Sequence, residues 1–204
     1  MKVGIIGTGK VATSLATGLA QGGHSVMLGS RTPESKKAPV AGVSVGTQAD
    51  AVKFGEAVIL AVPFSAANET IRSLGEGAWR GKTLVDATNA FPPPDGWVAS
   101  TSGAEEIAKL APGAKVVKAF NTVFAQNMTS GQVGGTKIAA FVAGDDPQAR
   151  RTVQKLAADI GFDPIDAGPL SSARYLEAMA MMNIRLGYDL KMGAGIGFAL
   201  VRSR

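Results

Sequence analysis

The sequence predicts a doubly wound α/β domain, a parallel sheet of the Rossmann type with a small C-terminal helical extension. Three observations predict it. Short apolar runs rich in β-branched residues alternate with helical patterns along most of the chain. A glycine-rich turn directly follows the first of these runs, at residue 7. The run 57–62 is almost wholly apolar, which is typical of a central parallel strand covered on both faces.

In the first half of the chain, residues 2–6 are predicted as a buried strand and residues 11–21 as an amphipathic helix. Gly22 and Gly23 are expected to end that helix. Further strands are predicted at 25–28, 43–45, 57–62 and 83–87, with a helix at 65–74.

The second half contains predicted strands at 116–120, 138–142 and 164–166, and a helix at 147–160. The proline-rich stretch 91–96 cannot be a helix or a central strand, so we expect a surface loop at the carboxyl edge of the sheet. We expect residues 1–168 to form the nucleotide-binding domain and residues 169–204 the helical extension.

The longest helical pattern, residues 170–190, has apolar residues around more of its circumference than one sheet-facing stripe requires. Met179, Met181 and Met182 suit a packing interface. We therefore predict a homodimer built in part from this helix. A monomer in which the helix is fully buried is the alternative.

Composition excludes several classes of protein. The chain of 204 residues has no cysteine and one histidine, so thiolate and histidine-rich metal sites are excluded and we expect no metal. A formal net charge of +5 suits anionic ligands but is too diffuse to indicate nucleic acid. No run reaches the roughly 18 apolar residues of a membrane span. We expect a cytoplasmic protein with no nucleic-acid or membrane partner.

The strongest local motif is GTGKVA at residues 7–12, between the first strand and the first helix. A dinucleotide pyrophosphate needs this context. Gly7 permits the tight turn, Gly9 lets the backbone approach the phosphates, and Ala12 allows close packing of helix on strand. The free N–H groups at the start of the helix favour an anion. The motif predicts a dinucleotide site.

The end of the second strand predicts which dinucleotide binds. NAD-binding domains usually place an acidic residue there for the ribose 2′-hydroxyl, but this chain has Ser30 and Arg31. A hydroxyl and a guanidinium suit a 2′-phosphate, and Lys36 and Lys37, just beyond, are expected to add positive charge. We therefore predict NADP as the cofactor; the alternative is that Arg31 is a solvated surface charge.

No obvious proton-transfer group accompanies the predicted cofactor site. Tyr188 and Lys191 are three residues apart, whereas the pair of short-chain dehydrogenases is four apart. His24 lies in a turn at the amino end of the second strand, away from the cofactor edge, and is expected to be structural. Hydride transfer between two planar rings needs alignment more than an acid or base.

Several stretches of the chain resemble the NADPH-dependent deazaflavin reductases and the cytosolic oxidoreductase domains of membrane metalloreductases. They are IIGTG at 5–9, GSR at 29–31, ILAVP at 59–63, DATN at 86–89, KAFNT at 118–122, AGPL at 167–170 and ARYLE at 173–177. The resemblance covers nearly the whole chain. It is specific for the family and less so for the electron acceptor.

The resemblance implies roles for individual residues. Thr8, Gly9, Lys10 and Val11 would line the pyrophosphate, and Ser30 and Arg31 would hold the 2′-phosphate. Ala61, Val62 and Pro63 would pass under the nicotinamide ribose, with Asn89 nearby. Residues 119–122, beginning with Ala119, would form part of the floor on which the acceptor ring stacks.

Asn121 is the candidate catalytic residue, expected to orient the acceptor by a hydrogen bond to a ring carbonyl or a substrate oxygen. It stands where some deazaflavin reductases have a histidine, so the acceptor is less certain than the cofactor. The acceptor ring is expected to stack against apolar faces of Phe91, Phe120 and Phe124. Asp86 is expected to order its loop and not to catalyse.

Three functions remain open from the sequence. The first is hydride transfer between NADP(H) and a planar deazaflavin or flavin, which would be a small-molecule redox acceptor. The second is NADPH-dependent reduction of a small carbonyl or imine. The third is a non-catalytic protein that senses NADP and reports redox state to a partner.

Overall fold

A computed structural model describes residues 1–90 and 100–203. Strand β1 (Lys2–Ile6) leads into helix α1 (Lys10–Gln21), which ends at Gly22 as predicted. Then follow β2 (Ser25–Ser30), β3 (Val43–Thr47), α2 (Gln48–Phe54), β4 (Ala57–Leu60), α3 (Phe64–Leu74) and β5 (Thr83–Asp86).

The second half begins with α4 (Gly103–Leu110) and β6 (Lys115–Lys118), and a short hairpin of β7 (Gln132–Val133) and β8 (Thr136–Lys137) follows. Strand β9 (Ala139–Gly144), helix α5 (Pro147–Ile160), β10 (Asp163–Asp166) and α6 (Ala173–Ile184) complete the regular elements. The predicted helix 170–190 is a 3₁₀ turn (Leu170–Ser172), then α6, then a π turn (Arg185–Asp189).

The sheet has the order β10-β9-β6-β5-β4-β1-β2-β3. Six neighbouring strands of this sheet are parallel, in the order β3-β2-β1-β4-β5-β6. This is the strand order of a dinucleotide-binding fold, which confirms the predicted fold class. Strand β9 runs antiparallel to β6, and β10 runs parallel to β9. These two strands extend the sheet beyond the nucleotide-binding unit.

Helices α2 and α4 were not predicted, because with seven and eight residues each is too short to show a helical period. Their amino ends do carry a local signal. Thr47 and Asp50 form a reciprocal capping box, and the Ser102 hydroxyl accepts the Glu105 N–H. A search for Ser or Thr followed three residues later by an acid would have found both.

Both faces of the sheet are covered. On one face, α1 and α5 pack through Leu15, Leu19 and Leu156, and on the other, α2, α3 and α4 pack around Trp79. All four of these side chains are fully buried. Two covered faces explain why the central strands are apolar throughout.

The carboxyl edge of the sheet opens between β1 and β4. The chain after β1 turns toward β2, where the Gly7 N–H donates to Gly29 O at 3.0 Å. The chain leaves the sheet after β4 at Ala61, whose N–H donates to Ile6 O at 2.9 Å. Connections leave toward opposite sides here, and ligands of open α/β sheets bind at such a switch point.

Within residues 1–90 and 100–203, no helix is long and apolar enough to cross a membrane. The same residues contain no group of three or more acidic, histidine or cysteine side chains arranged to hold a metal ion. The predicted loop 91–96, with Phe91, lies outside the described residues.

Candidate functional site

The turn after β1 is built so that a ligand can reach its backbone. Gly7 has φ +128°, and a Cβ on it would lie 2.3 Å from the Ala61 carbonyl oxygen, so only glycine fits there. A Cβ on Gly9 would meet nothing within 4 Å, because it would point into open space. Gly9 caps α1 without a side-chain bond, and the first turn has no acid, so its N–H groups stay free for an anion.

Ser30 and Arg31 come at the end of β2 and face the same space. Ser30 is buried, and its Oγ accepts the Thr32 N–H at 3.1 Å, which leaves the hydroxyl proton free to donate. Arg31 is exposed, and among the described residues no carboxylate forms an ion pair with it. Within residues 1–90 and 100–203 the guanidinium is therefore not neutralised, which suits an anionic ligand.

These residues line a cavity of about 270 Å³, which we call the Arg31 cavity. Its predicted site residues are Gly7, Thr8, Gly9, Ser30, Arg31, Lys36, Ala61, Val62 and Pro63. Two cations and the free start of α1 give this cavity a positive character. A positive cavity of this kind suits a phosphate or another anion.

A second cavity, of about 350 Å³, adjoins the first and shares Gly9 and residues 61–63 with it. We call it the Thr88 cavity. It is lined by Gly9, Lys10, Val11, Ala61, Val62, Pro63, Phe64, Ala87, Thr88 and Asn89. The lining is more apolar, which suits a flat ring. Every predicted cofactor residue except Ala119 lines one of the two cavities.

Behind the Thr88 cavity lies a buried charged cluster that the sequence did not reveal. We call it the Lys118 cluster: Asp86, Lys118 and Glu177. The Lys118 Nζ lies 2.8 Å from Asp86 Oδ2 and 2.9 Å from Glu177 Oε1, and it also donates to Thr88 O at 2.8 Å. Asp86 and Lys118 are fully buried and Glu177 nearly so. All three ammonium protons have a partner.

The opposite charges of Lys118 and the two carboxylates stabilise one another in the interior. Burial by itself lowers the pKa of Lys118, but the adjacent carboxylates of Asp86 and Glu177 outweigh it and raise that pKa above its ordinary value. Glu177 comes from α6 and also accepts the N–H groups of Gly103 and Ala104, at 3.1 and 3.4 Å, at the start of α4. Lys118 thus stays charged within a fully hydrogen-bonded site.

One signal could have found two of these three residues. Asp86 and Lys118 are the last residues of neighbouring parallel strands and stand in register. Charged residues at the ends of two apolar strands therefore indicate a buried pair. The interpretation of Asp86 as a residue that orders its loop agrees with this geometry, because Asp86 Oδ1 accepts the Thr88 N–H at 2.9 Å.

Asn121 lies beside the Thr88 cavity without lining it. The chain reaches it through Phe120, a non-glycine residue at φ +66°, a conformation that is uncommon and costly. The Asn121 Nδ2 donates to Leu176 O at 3.0 Å and to Asn89 Oδ1 at 3.2 Å. In return, Asn89 Nδ2 donates to Asn121 O at 3.3 Å.

These bonds engage both amide protons of Asn121. The expected hydrogen bond from Asn121 to a ring carbonyl stays a prediction, and it would require one of these two bonds to break. Its Oδ1 is buried and has no partner among the described residues, and the same holds for Thr88 Oγ1. A buried acceptor without a donor is costly. Asn121 is therefore able to accept a hydrogen bond from an N–H or O–H group.

Other predicted site residues are enclosed by the protein. Ala119 is fully buried and lines neither cavity. The expectation that Phe120 and Phe124 offer free faces is wrong, because both are buried. Phe120 packs on Phe162 with ring centroids 5.9 Å apart, and Phe124 packs edge-on against Tyr188 at 5.4 Å.

His24 is a packing residue that lines neither cavity. It is buried, and its Nε2 lies 3.0 Å from Asp159 Oδ2 on α5. It joins the turn after α1 to α5, in agreement with the structural role expected from the sequence.

Comparisons with known proteins give two groups of relatives. Residues 2–90 match the family described as NADP oxidoreductase, coenzyme F420-dependent. An F420-dependent NADP reductase from Methanothermobacter marburgensis is 32% identical over 96% of this chain and 97% of that protein. A crystal structure from Arthrobacter sp. FB24, of a protein provisionally named an F420-dependent NADP reductase, superposes with a TM-score of 0.87 and 31% identity, over 99% of this chain and all of that one.

A second group of relatives is longer than this chain. The metalloreductase STEAP3 of Rattus norvegicus is 37% identical over 88% of this chain. The chain spans only 36% of the length of that protein. The likeness therefore concerns one part of the metalloreductase.

Proposed function

Because the chain belongs to the family of coenzyme F420-dependent NADP oxidoreductases, we propose that it transfers a hydride between NADP(H) and a deazaflavin of the F420 type. Membership makes it an NADP-dependent oxidoreductase. Our proposal adds the identity of the acceptor, and the residues that hold NADP(H) and the acceptor. The observation that carries it is the pair of adjoining cavities on either side of Gly9, one cationic and one more apolar.

In our proposal, the Arg31 cavity holds the 2′-phosphate and the adenosine half of NADP. Ser30 donates its hydroxyl proton to the phosphate, and Arg31 and Lys36 neutralise its charge. The pyrophosphate lies on the free N–H groups that follow Gly9. The open space at Gly9 supports this, since it lets a ligand approach the backbone.

The nicotinamide half then occupies the Thr88 cavity, over residues 61–63 and beside Asn89. NADPH supplies the hydride when bound. The protein's part is to align the two rings and to exclude water, for which the apolar lining is suited. No general acid is required when the acceptor is a ring that takes a hydride directly.

We further propose that residues 169–204 complete the acceptor side of the site and form a dimer contact. Their helix α6 reaches the site through Leu176, which accepts a hydrogen bond from Asn121, and through Glu177 in the Lys118 cluster. Exposed apolar residues occur on α6, at Tyr175 and Met182, and in the chain that follows it, at Tyr188, Leu190 and Met192. Such a surface suits a second copy of the chain.

The test is a screen of NADPH oxidation against F420, FMN, FAD and a panel of ketones and imines. We expect turnover with F420 and a strong preference for NADPH over NADH. The Gly9→Val variant provides the background rate. Turnover with ketones or imines alone would favour the carbonyl or imine reductase, and tight NADPH binding without oxidation by any acceptor would favour a sensor.

A further inference from the structure

We propose that the Lys118 cluster sets the preference of the site for oxidised over reduced cofactor, and so biases bound NADPH toward giving up its hydride. The inference rests on the proposed function, because it needs the nicotinamide ring in the Thr88 cavity. Asp86 and Glu177 act here without touching the ligand. They are positioning and specificity-determining residues.

The cluster lies directly behind the wall of the Thr88 cavity. Thr88 is held by it at both backbone groups: its N–H donates to Asp86 Oδ1 at 2.9 Å, and its carbonyl accepts from Lys118 Nζ at 2.8 Å. Thr88 itself lines the cavity. Thr88 therefore connects the cluster to the wall of the cavity.

The cluster carries an excess of negative charge. Two carboxylates face one ammonium, which leaves a formal charge of −1, and the start of α4 offsets part of it as a partial positive charge at Glu177. Solvent does not screen Asp86 or Lys118, since neither side chain is exposed. Lys10, the one cation among the described residues that line the cavity, is exposed and is therefore well screened.

The charge of the ligand differs between its two states at the ring. An oxidised nicotinamide carries one positive charge and a reduced one carries none, while the phosphates are the same in both. A buried negative charge behind the ring therefore stabilises NADP⁺ relative to NADPH. An ion cluster seldom stabilises a fold more than apolar residues would, so its placement here calls for a role beyond stability.

Two neutral variants test this inference. Glu177→Gln and Asp86→Asn each remove one negative charge and keep an oxygen that can accept a hydrogen bond. The dissociation constants of NADP⁺ and NADPH are measured for each by titration calorimetry, with thermal unfolding to check the fold. We expect the ratio of the NADP⁺ constant to the NADPH constant to rise about fourfold or more in both variants, the size expected for one unit charge at about 10 Å and an effective dielectric constant of about 40.

The matched control is Glu105→Gln. Glu105 is also a carboxylate at the contact of α4 with α6, where it pairs with Arg174 at 2.6 Å, but it is not part of the cluster. Its variant should leave the ratio unchanged. An unchanged ratio in the folded Glu177→Gln and Asp86→Asn proteins, or an equal loss of affinity for both forms, would overturn the inference. Failure of the proposed function has another signature: neither form binds the unmutated protein, or Gly9→Val binds both as tightly.

Discussion

Removing the Arg31 guanidinium tests the predicted preference for NADPH. Loss of one charge-assisted hydrogen bond typically costs about 1.5–3 kcal/mol, which is about ten- to a hundredfold in affinity. Arg31 is exposed and Lys36 remains in the same cavity, so the lower end of that range applies. We expect Arg31→Ala to weaken NADPH binding about tenfold and to change NADH binding by no more than about twofold.

The assay compares the dissociation constants of NADPH and NADH at several salt concentrations. Salt should weaken NADPH binding more than NADH binding in the unmutated protein, and Arg31→Ala should reduce that difference. The matched control is Lys37→Ala, because Lys37 is an equally exposed cation nearby that does not line the Arg31 cavity. Equal use of both cofactors by the unmutated protein, or an equal effect of the two variants, would refute a direct contact with the 2′-phosphate.

The remaining predictions concern the glycine turn, Asn121 and the exposed side of the C-terminal helix. Gly9→Val should fold normally and lose dinucleotide binding, whereas Gly7→Ala should fail to fold stably, since its Cβ would lie 2.3 Å from a backbone oxygen. Circular dichroism reports whether each variant folds, and calorimetry reports whether it binds the dinucleotide. A folded Gly9→Val protein that binds NADPH would place the cofactor elsewhere. Asn121→Ala should slow hydride transfer severalfold with nearly unchanged NADPH affinity, and should cost about 1–3 kcal/mol of stability because the Leu176 carbonyl loses its donor. The control Asn183→Ala, which removes a similar bond to the Thr122 carbonyl, should lower stability without that rate effect, and identical kinetics in both would remove Asn121 from the reaction. Light scattering should give about twice 20.8 kDa for the unmutated protein and a smaller mass for Met182→Asp, while 20.8 kDa for the unmutated protein at micromolar concentrations would refute the dimer.

Local patterns were sufficient for much of the fold. The GTGKVA turn and the strands around it could be identified because each depends on residues next to one another in the sequence. The bounds of α5 were predicted correctly, since Pro147 at its start and Gly161 after its end are local signals. Helices α2 and α4 were not predicted because they are short. The hairpin of β7 and β8 was not predicted because strands of two residues are too short to show an alternating hydrophobic pattern.

The sequence by itself determined the nucleotide-binding unit and most of the residues that line its two cavities. Those residues follow strands directly, so their place at the carboxyl edge is fixed by the order of the elements. Only the tertiary structure decided what surrounds them. Asp86, Lys118 and Glu177 are scattered along the chain, and their charges meet because β5, β6 and α6 pack together. Likewise, Asn121 donates its amide protons to Leu176 O and Asn89 Oδ1, and no local pattern can specify these contacts.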